Sequence, residues 1–309
     1  MLKLNVDEKY VLTMYLKKRY YRIIESLIKK IIRFINNSKN NSLKKTIRSA
    51  IYYTTQKDRI LFSNNNDAKY LLASWDWISQ KLFIDQGFDF GILIKAKKLL
   101  GKKNSKSTLI NVGAHIGSTC IPAIKKNYFK NLIAFEPSKK NFRLLKANIF
   151  LNEIDDRVQV YNLALSNKKA NLHLGMLAGD ASGSSTGGGY RILKNKQKNT
   201  EIVKSDILDN YTYNLNKNNS LVFMDTEGHE PDIFMGAKKT IRKKIPFVFE
   251  FAPFWLNKDW LKKISILFKY YNFFHDLKTN KKKRFNAIEI KKLYNHYLIN
   301  NNYTDILIK

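Results

Sequence analysis

The chain has a single cysteine, Cys120, so it can form no internal disulfide, as suits a reducing cytoplasm. It has no run of about 18 apolar residues, and a transmembrane span is therefore not expected. Its first residues, Met1 to Asp7, lack the charged and then apolar order of a signal peptide. A cytoplasmic location is the expectation, with peripheral contact at the inner membrane surface as a variant of it. Acidic residues are scarce as well: 25 Asp plus Glu stand against 56 Lys plus Arg, a net charge of +31. Such an excess attracts nucleic acid, anionic membrane or acidic glycan. Its spread along the chain, beside abundant Asn and Ile, is also what low-GC coding leaves behind. What is present is core material. At 44% hydrophobic and 13% aromatic, 309 residues suffice for one large α/β domain plus an extension.

Three regions are expected: a basic helical extension over 1–55, a helical lead-in over 56–107, and the main domain over 108–309. In 17–36, Ile23, Ile24, Leu27, Ile31 and Ile35 share one helical face, ringed by Lys17, Lys18, Arg19, Arg22, Lys29, Lys30 and Arg33. That stripe can pack on the parent domain or lie on an anionic membrane. Asn36–Ser42 reads as a linker, Asp76–Lys98 as a helix ending near Gly101, and 101–106 as a loop. Short apolar strands then alternate with helices. Strands are expected at Thr108–Val112, Asn131–Phe135, Val158–Leu163, Leu221–Met224, Phe247–Phe251, Asn272–Leu277 and Thr304–Ile308, with an added strand over 170–176. Helices are expected at Ser118–Lys126, Ser138–Phe150, Pro231–Arg242 and Lys258–Tyr270. The alternation predicts a mostly parallel sheet covered on both faces. Gly179–Gly189 holds too many glycines for either element and reads as a long loop, a lid or a surface insertion.

Two segments carry chemistry. Asn111-Val-Gly-Ala-His-Ile-Gly117 follows an apolar strand and opens a helix. Gly113 and Gly117 permit a tight turn and close approach to a ligand. The helix start offers free N–H groups. Nineteen residues after Gly117, Glu136 closes the second strand, where a carboxylate can accept both hydrogen bonds of a ribose diol. Dinucleotide sites need G-x-G-x-x-G to admit a pyrophosphate, whereas here His115 replaces the second glycine. A cofactor without phosphates, S-adenosyl-L-methionine, fits better than a nicotinamide. The second segment, Asp225-Thr-Glu-Gly-His-Glu230, crowds three carboxylates and an imidazole at another strand end. Glu230 can instead cap the following helix, and Glu227 can pair with a lysine.

These motifs, with Phe135-Glu-Pro137 and Gly236-Ala237, resemble the FkbM family of methyltransferases over about residues 70–309. That family carries D-V-G-A-N-x-G, then F-E-P, then D-x-E-G-x-E followed by a G-A pair. Glu250 stands where the family has a glutamate ending the fifth strand. Asn111 and His115 depart from the family's Asp and Asn. The first loses a charge facing the cofactor's amino group; the second is a bulkier ring. The resemblance implies a Rossmann-like class I methyltransferase fold: a mostly parallel seven-stranded sheet with helices on both faces and an antiparallel last strand. It implies O-methyl transfer from S-adenosyl-L-methionine to a hydroxyl of a saccharide, glycolipid or secondary metabolite. Cofactor contacts fall on Asn111, Gly113, Ala114, His115, Gly117, Glu136 and Asp225.

Methyl transfer needs alignment of the acceptor oxygen and a base for its proton. His229 is the first candidate base, with Asp225 or Glu227 as alternatives. Asp225, Glu227, Glu230 and Glu250 could hold a divalent ion, but no ligand spacing fixes one, so no metal ligand is assigned. The expected partner is a small-molecule or glycan acceptor. RNA methylation and a non-catalytic basic binding role are the competing readings. Oligomeric state is not readable.

Overall fold

The computed structural model describes residues 40–65, 68–74, 76–87, 90–101, 107–176, 190–193 and 200–309, preceded by residues 25, 26, 29, 30 and 33. The chain divides into two compact units, Met1–Thr54 and Thr55–Lys309. In the first, the five early residues are helical and exposed. The apolar stripe expected over 17–36 lies outside the described residues. Helix α1 (Asn41–Thr54) begins two residues inside the segment expected to be a linker. The reason is local: the Asn40 side chain accepts the Leu43 amide at 3.0 Å and caps the helix.

The second unit opens with a hairpin, β1 (Ile60–Asn64) against β2 (Lys69–Ala73), where a helical lead-in was expected over 56–107. Buried Tyr70 and Leu72 alternate along β2, a period of two that selects strand over helix. The helix expected over 76–98 is two helices, α2 (Trp77–Ile84) and α3 (Phe90–Leu100). Gln86 between them has φ +62°, which a continuous helix cannot hold.

Then come β3 (Thr108–Val112), α4 (Cys120–Lys125), β4 (Asn131–Phe135), α5 (Lys139–Leu151) and β5 (Val158–Tyr161). A smaller sheet follows: β6 (Ala164–Leu165), β7 (Ala170–Met176), β8 (Tyr190–Leu193) and β9 (Thr200–Asp206), in the order β6-β9-β7-β8. The glycine-rich stretch 179–189 lies outside the described residues. The main unit continues through β10 (Ser220–Met224), α6 (Glu230–Met235), α7 (Lys238–Arg242), β11 (Phe247–Phe251) and α8 (Trp260–Ile264). It ends with β12 (Phe273–Asp276), β13 (Lys281–Arg284), α9 (Ala287–Ile299) and β14 (Thr304–Ile308).

The central sheet runs β13-β12-β14-β11-β10-β3-β4-β5. Strands β5, β4, β3, β10 and β11 pair in parallel, and β14 enters antiparallel beside β11. This is the Rossmann-like arrangement expected, enlarged by an eighth strand, β13, which hairpins onto the edge of β12. Alternate residues feed two separate cores. Leu109, Leu132, Ala134, Leu221, Phe223, Val248 and Leu307 pack on one face. Ile110, Val112, Phe135, Val222, Met224, Phe249 and Ile306 pack on the other. Burial on both sides explains why these strands read as unbroken apolar runs. Each Leu, Ile or Phe so buried contributes roughly 1.5–3 kcal/mol.

Two asparagines fix the hairpin to this frame. Asn148 on α5 accepts the Leu71 amide at 2.6 Å and donates to the carbonyls of Leu71 and Ile116. Asn152, one turn on, brackets Lys69 in the same way. Their amides replace a neighbouring strand for β2, and they tie it to the turn after β3. Among the described residues no helix is long and apolar enough to cross a membrane.

Candidate active site

The site forms where β3, β4 and β10 end on the same edge of the sheet, the location that parallel order makes available for ligands. After β3 the chain turns through Gly113 at φ +79°, and the amides of Gly113 and Ala114 donate to the Phe135 carbonyl at 3.0 and 2.9 Å. A Cβ on Gly113 would stand 1.9 Å from the Asp225 carbonyl oxygen, so only glycine lets β10 close beside this turn. Gly117, at φ +93°, faces Ile121 in the same way.

Glu136 follows β4 and is only 4% exposed. Its two carboxylate oxygens accept the backbone amides of His115 and Ser138, each at 2.8 Å. Burial raises its proton affinity, while the His115 ring and those two amides oppose the rise. His115 itself has φ +50°, and its Nε2 stands 3.6 Å from Asp76 Oδ1. Asp76 also caps α2 by accepting the Ser79 amide at 2.7 Å. Asn111 sits in β3, 2% exposed, and its Oδ1 has no hydrogen-bond partner among the described residues.

The second turn, after β10, holds Glu227 at φ +53° and Gly228 at φ +87°. A Cβ on Gly228 would meet Trp255 Cβ at 2.6 Å and its carbonyl oxygen at 2.7 Å. The glycine of this motif thus admits the 253–255 turn. Glu230 accepts the Thr226 amide and hydroxyl at 2.8 and 2.7 Å and closes the turn at the start of α6. It does not cap α6 as expected: the N-cap position is His229, without a side-chain bond, and Glu230 holds the preceding turn instead. Gly236 ends α6, where a Cβ would stand 2.1 Å from the Ser166 carbonyl oxygen.

These two turns face one cleft. Glu136, Asp225, Glu227 and His229 line it together with His115 and Gly113, and Phe135 and Leu165 contribute apolar walls. Asn111, Ala114 and Gly117 do not line it. Electrostatics separate the groups. Burial, reinforced by the carboxylates of Asp225 and Glu230, pushes Glu227 up to about 8. Burial also pushes Glu230 to about 7, and raises Asp225 against the pull of His115. Glu250, within β11, is raised well above the carboxylate range by burial and then by Asp225, Glu227 and Glu230. His229 moves the other way: burial takes its ring down to about 4, and its Nε2 is 3.0 Å from Ser166 Oγ.

Four residues near the site were not singled out from sequence. Asp76 and Ser166 have only ordinary loop contexts. Arg191 stands alone on a short strand, and Trp255 falls in an apolar Pro-Phe-Trp run. None carried a local signal, because each is brought in by tertiary pairing. Among the described residues no cluster of His, Cys, Asp or Glu has the arrangement of a metal site.

A parallel sheet with a glycine turn, a carboxylate at the next strand end and acidic residues two strands away defines a Rossmann-like methyltransferase. The Methyltransferase FkbM domain model matches residues 111–292, more than half the chain, and the chain belongs to this family. Among solved structures it is similar to the methyltransferase FkbM from Methylobacillus flagellatus KT, at 13% identity and a TM-score of 0.45. That match covers 77% of this chain and 56% of the other, so this chain spans little more than half of that protein's length. It is also similar to M. jannaschii TYW2 in complex with AdoMet: 12% identity, TM-score 0.38, 82% of this chain and 86% of that one. Precorrin-6y C5,15-methyltransferase from Geobacter metallireducens GS-15 matches at 10% identity and a TM-score of 0.35, covering 71% of this chain and 86% of that one. None of the curated proteins matches the chain.

Proposed function

We propose that the protein is an S-adenosyl-L-methionine-dependent O-methyltransferase acting on a hydroxyl group of a saccharide, glycolipid or secondary metabolite. The observation that carries this reading is one cleft faced by Glu136 from one strand end and by Glu227 from another. The residues suit the cofactor. Each Glu136 oxygen takes one backbone amide and keeps a lone pair for a ribose hydroxyl.

When bound, the cofactor supplies a methyl group on a sulfonium, already a strong electrophile. The protein's share is to align the acceptor oxygen, exclude water and take the hydroxyl proton. Glu227 is the better base. Its proton affinity near 8 lies close to a working pH, whereas the His229 ring near 4 is a weak acceptor. We therefore rank Glu227 before His229, with His229, held by Ser166, positioning the turn. Asp225 links the two halves, since its amide donates to Val112 at 3.0 Å and its carbonyl abuts Gly113.

Calorimetric titration with S-adenosylmethionine, its demethylated product and NAD tests the reading. The first two bind and NAD does not. Binding of NAD, or silence from both methyl-cycle ligands, sinks it.

A further inference from the structure

The proposed reaction says nothing of what the acceptor carries beside its hydroxyl. A second cavity shares Glu227 and His229 with the first, and adds Arg191, Gly228 and Asn257. Among the described residues lining either cavity, Arg191 is the one lysine or arginine. This matters in a chain with 56 Lys plus Arg, because nearly all of that charge is spent elsewhere.

Arg191 is held, not loose. Its Nη2 donates to the Trp255 carbonyl at 2.7 Å, and its guanidinium carbon stands 4.7 Å from the centre of the Trp255 ring. Gly228 is what allows Trp255 to sit there, since any side chain at that position would collide with it. Three segments, β8, the turn after β10 and the turn after β11, therefore converge to place one cation beside the proposed base. A guanidinium has five N–H donors, and the hydrogen bond to Trp255 uses one. A planar donor fork of this kind matches a carboxylate or phosphate in bidentate geometry. Burial lowers the proton affinity of Arg191 while Glu227 and Glu230 raise it, and it keeps its charge.

Resting on the methyltransferase reading, we propose that Arg191 is an anion subsite of the acceptor pocket, and that the acceptor bears a carboxylate or phosphate next to the hydroxyl that is methylated. The alternative is that Arg191 only braces Trp255.

The test follows the side-chain Nε resonance of Arg191 by NMR, assigned with Arg191→Lys, while D-glucuronate, glucose 6-phosphate and glucose are titrated separately into the full chain. One anionic probe is expected to bind at least about tenfold more tightly than glucose. Arg191→Met abolishes that preference and Arg191→Lys retains part of it, with circular dichroism checking that both variants fold. Preference for glucuronate assigns a carboxylate, and preference for glucose 6-phosphate a phosphate. Equal or absent binding of all three probes, or a preference that survives Arg191→Met, overturns the proposal. Each titration is repeated with the demethylated cofactor product. Failure of that product to bind while the anion preference holds counts against the cofactor reading and leaves the subsite standing.

Discussion

Two buried carboxyl groups face the same cleft from different strand ends, and their surroundings are opposite in kind. Glu136 is met by two backbone amides and the His115 ring, all of which work against the effect of burial. Glu227 is met by Asp225 and Glu230, which add to it, with only Arg191 opposing. One group has donors that offset part of its burial. The other is furnished to hold a proton near neutral pH and release it slightly above. Burial raises both carboxyl groups, and they differ in how far neighbouring donors oppose that rise.

The largest effect is expected where the two halves meet. Gly113→Ala adds a Cβ 1.9 Å from the Asp225 carbonyl and places alanine at φ +79°. The strain and overpacking together cost roughly 2–5 kcal/mol, a large fraction of a typical domain's stability, and both ligand sites are lost with the junction. Chemical denaturation measures it; a variant within about 1 kcal/mol of the parent would show that the strand ends separate freely. Glu136→Ala comes next. Two charged hydrogen bonds to the ribose are worth roughly 1.5–3 kcal/mol each, so calorimetry should find affinity for S-adenosylmethionine down by at least about a hundredfold. The same variant also loses stability, because the amides of His115 and Ser138 are left without their acceptor. Micromolar binding retained in that variant contradicts the ribose assignment.

Glu227→Gln is expected to behave differently on every count. Turnover falls by about 10²–10⁴, while affinity for the demethylated product stays within about twofold of the parent. Its pH signature is the sharper observation. Folded Glu227 titrates near 8 rather than at its ordinary value of 4.5, so between those values the folded chain holds a proton that the unfolded chain has released. Raising the pH from about 4.5 towards 8 therefore opposes folding through this group, and Glu227→Gln removes its contribution. Activity runs the other way, rising as the base ionises through about 8. Melting curves and rates over pH 5–9 read both slopes. A rate profile that keeps its rise in Glu227→Gln places the base elsewhere.

The parts of this comparison that sequence revealed are those written in contiguous residues. Gly113, Gly117, Glu136 and the 225–230 turn each combine an apolar strand with an immediate glycine or carboxylate, and the strands of the central sheet read as apolar runs because both their faces are buried. What stayed hidden depends on partners far along the chain. The β1–β2 hairpin sits in a stretch expected to be helical, and β2 is completed by Asn148 and Asn152 from α5, some 80 residues later. Strands β8 and β9 follow stretches without a periodic signal and become strands by pairing with β7. Arg191 came with them, unannounced. The burial that lowers the basicity of His229 also leaves no local mark, which is why the imidazole looked the better base from its chemistry alone.

The smallest predicted change concerns that imidazole. With its ring near 4 and its Nε2 bonded to Ser166 Oγ, His229 is neutral across the working range and faces a fixed partner. Its ring lines both cavities, so removing it loosens the turn that carries Glu227. His229→Gln keeps a polar group of similar reach and should lower turnover by about tenfold or less, the scale of a positioning defect rather than of a lost base. The rise of rate with pH through about 8 should persist, since Glu227 still supplies it. Ser166→Ala should reproduce the effect in weaker form, because it removes the partner and not the ring. If instead His229→Gln abolishes the pH dependence and Glu227→Gln does not, the imidazole is the base, and the raised carboxyl serves only to keep the turn uncharged.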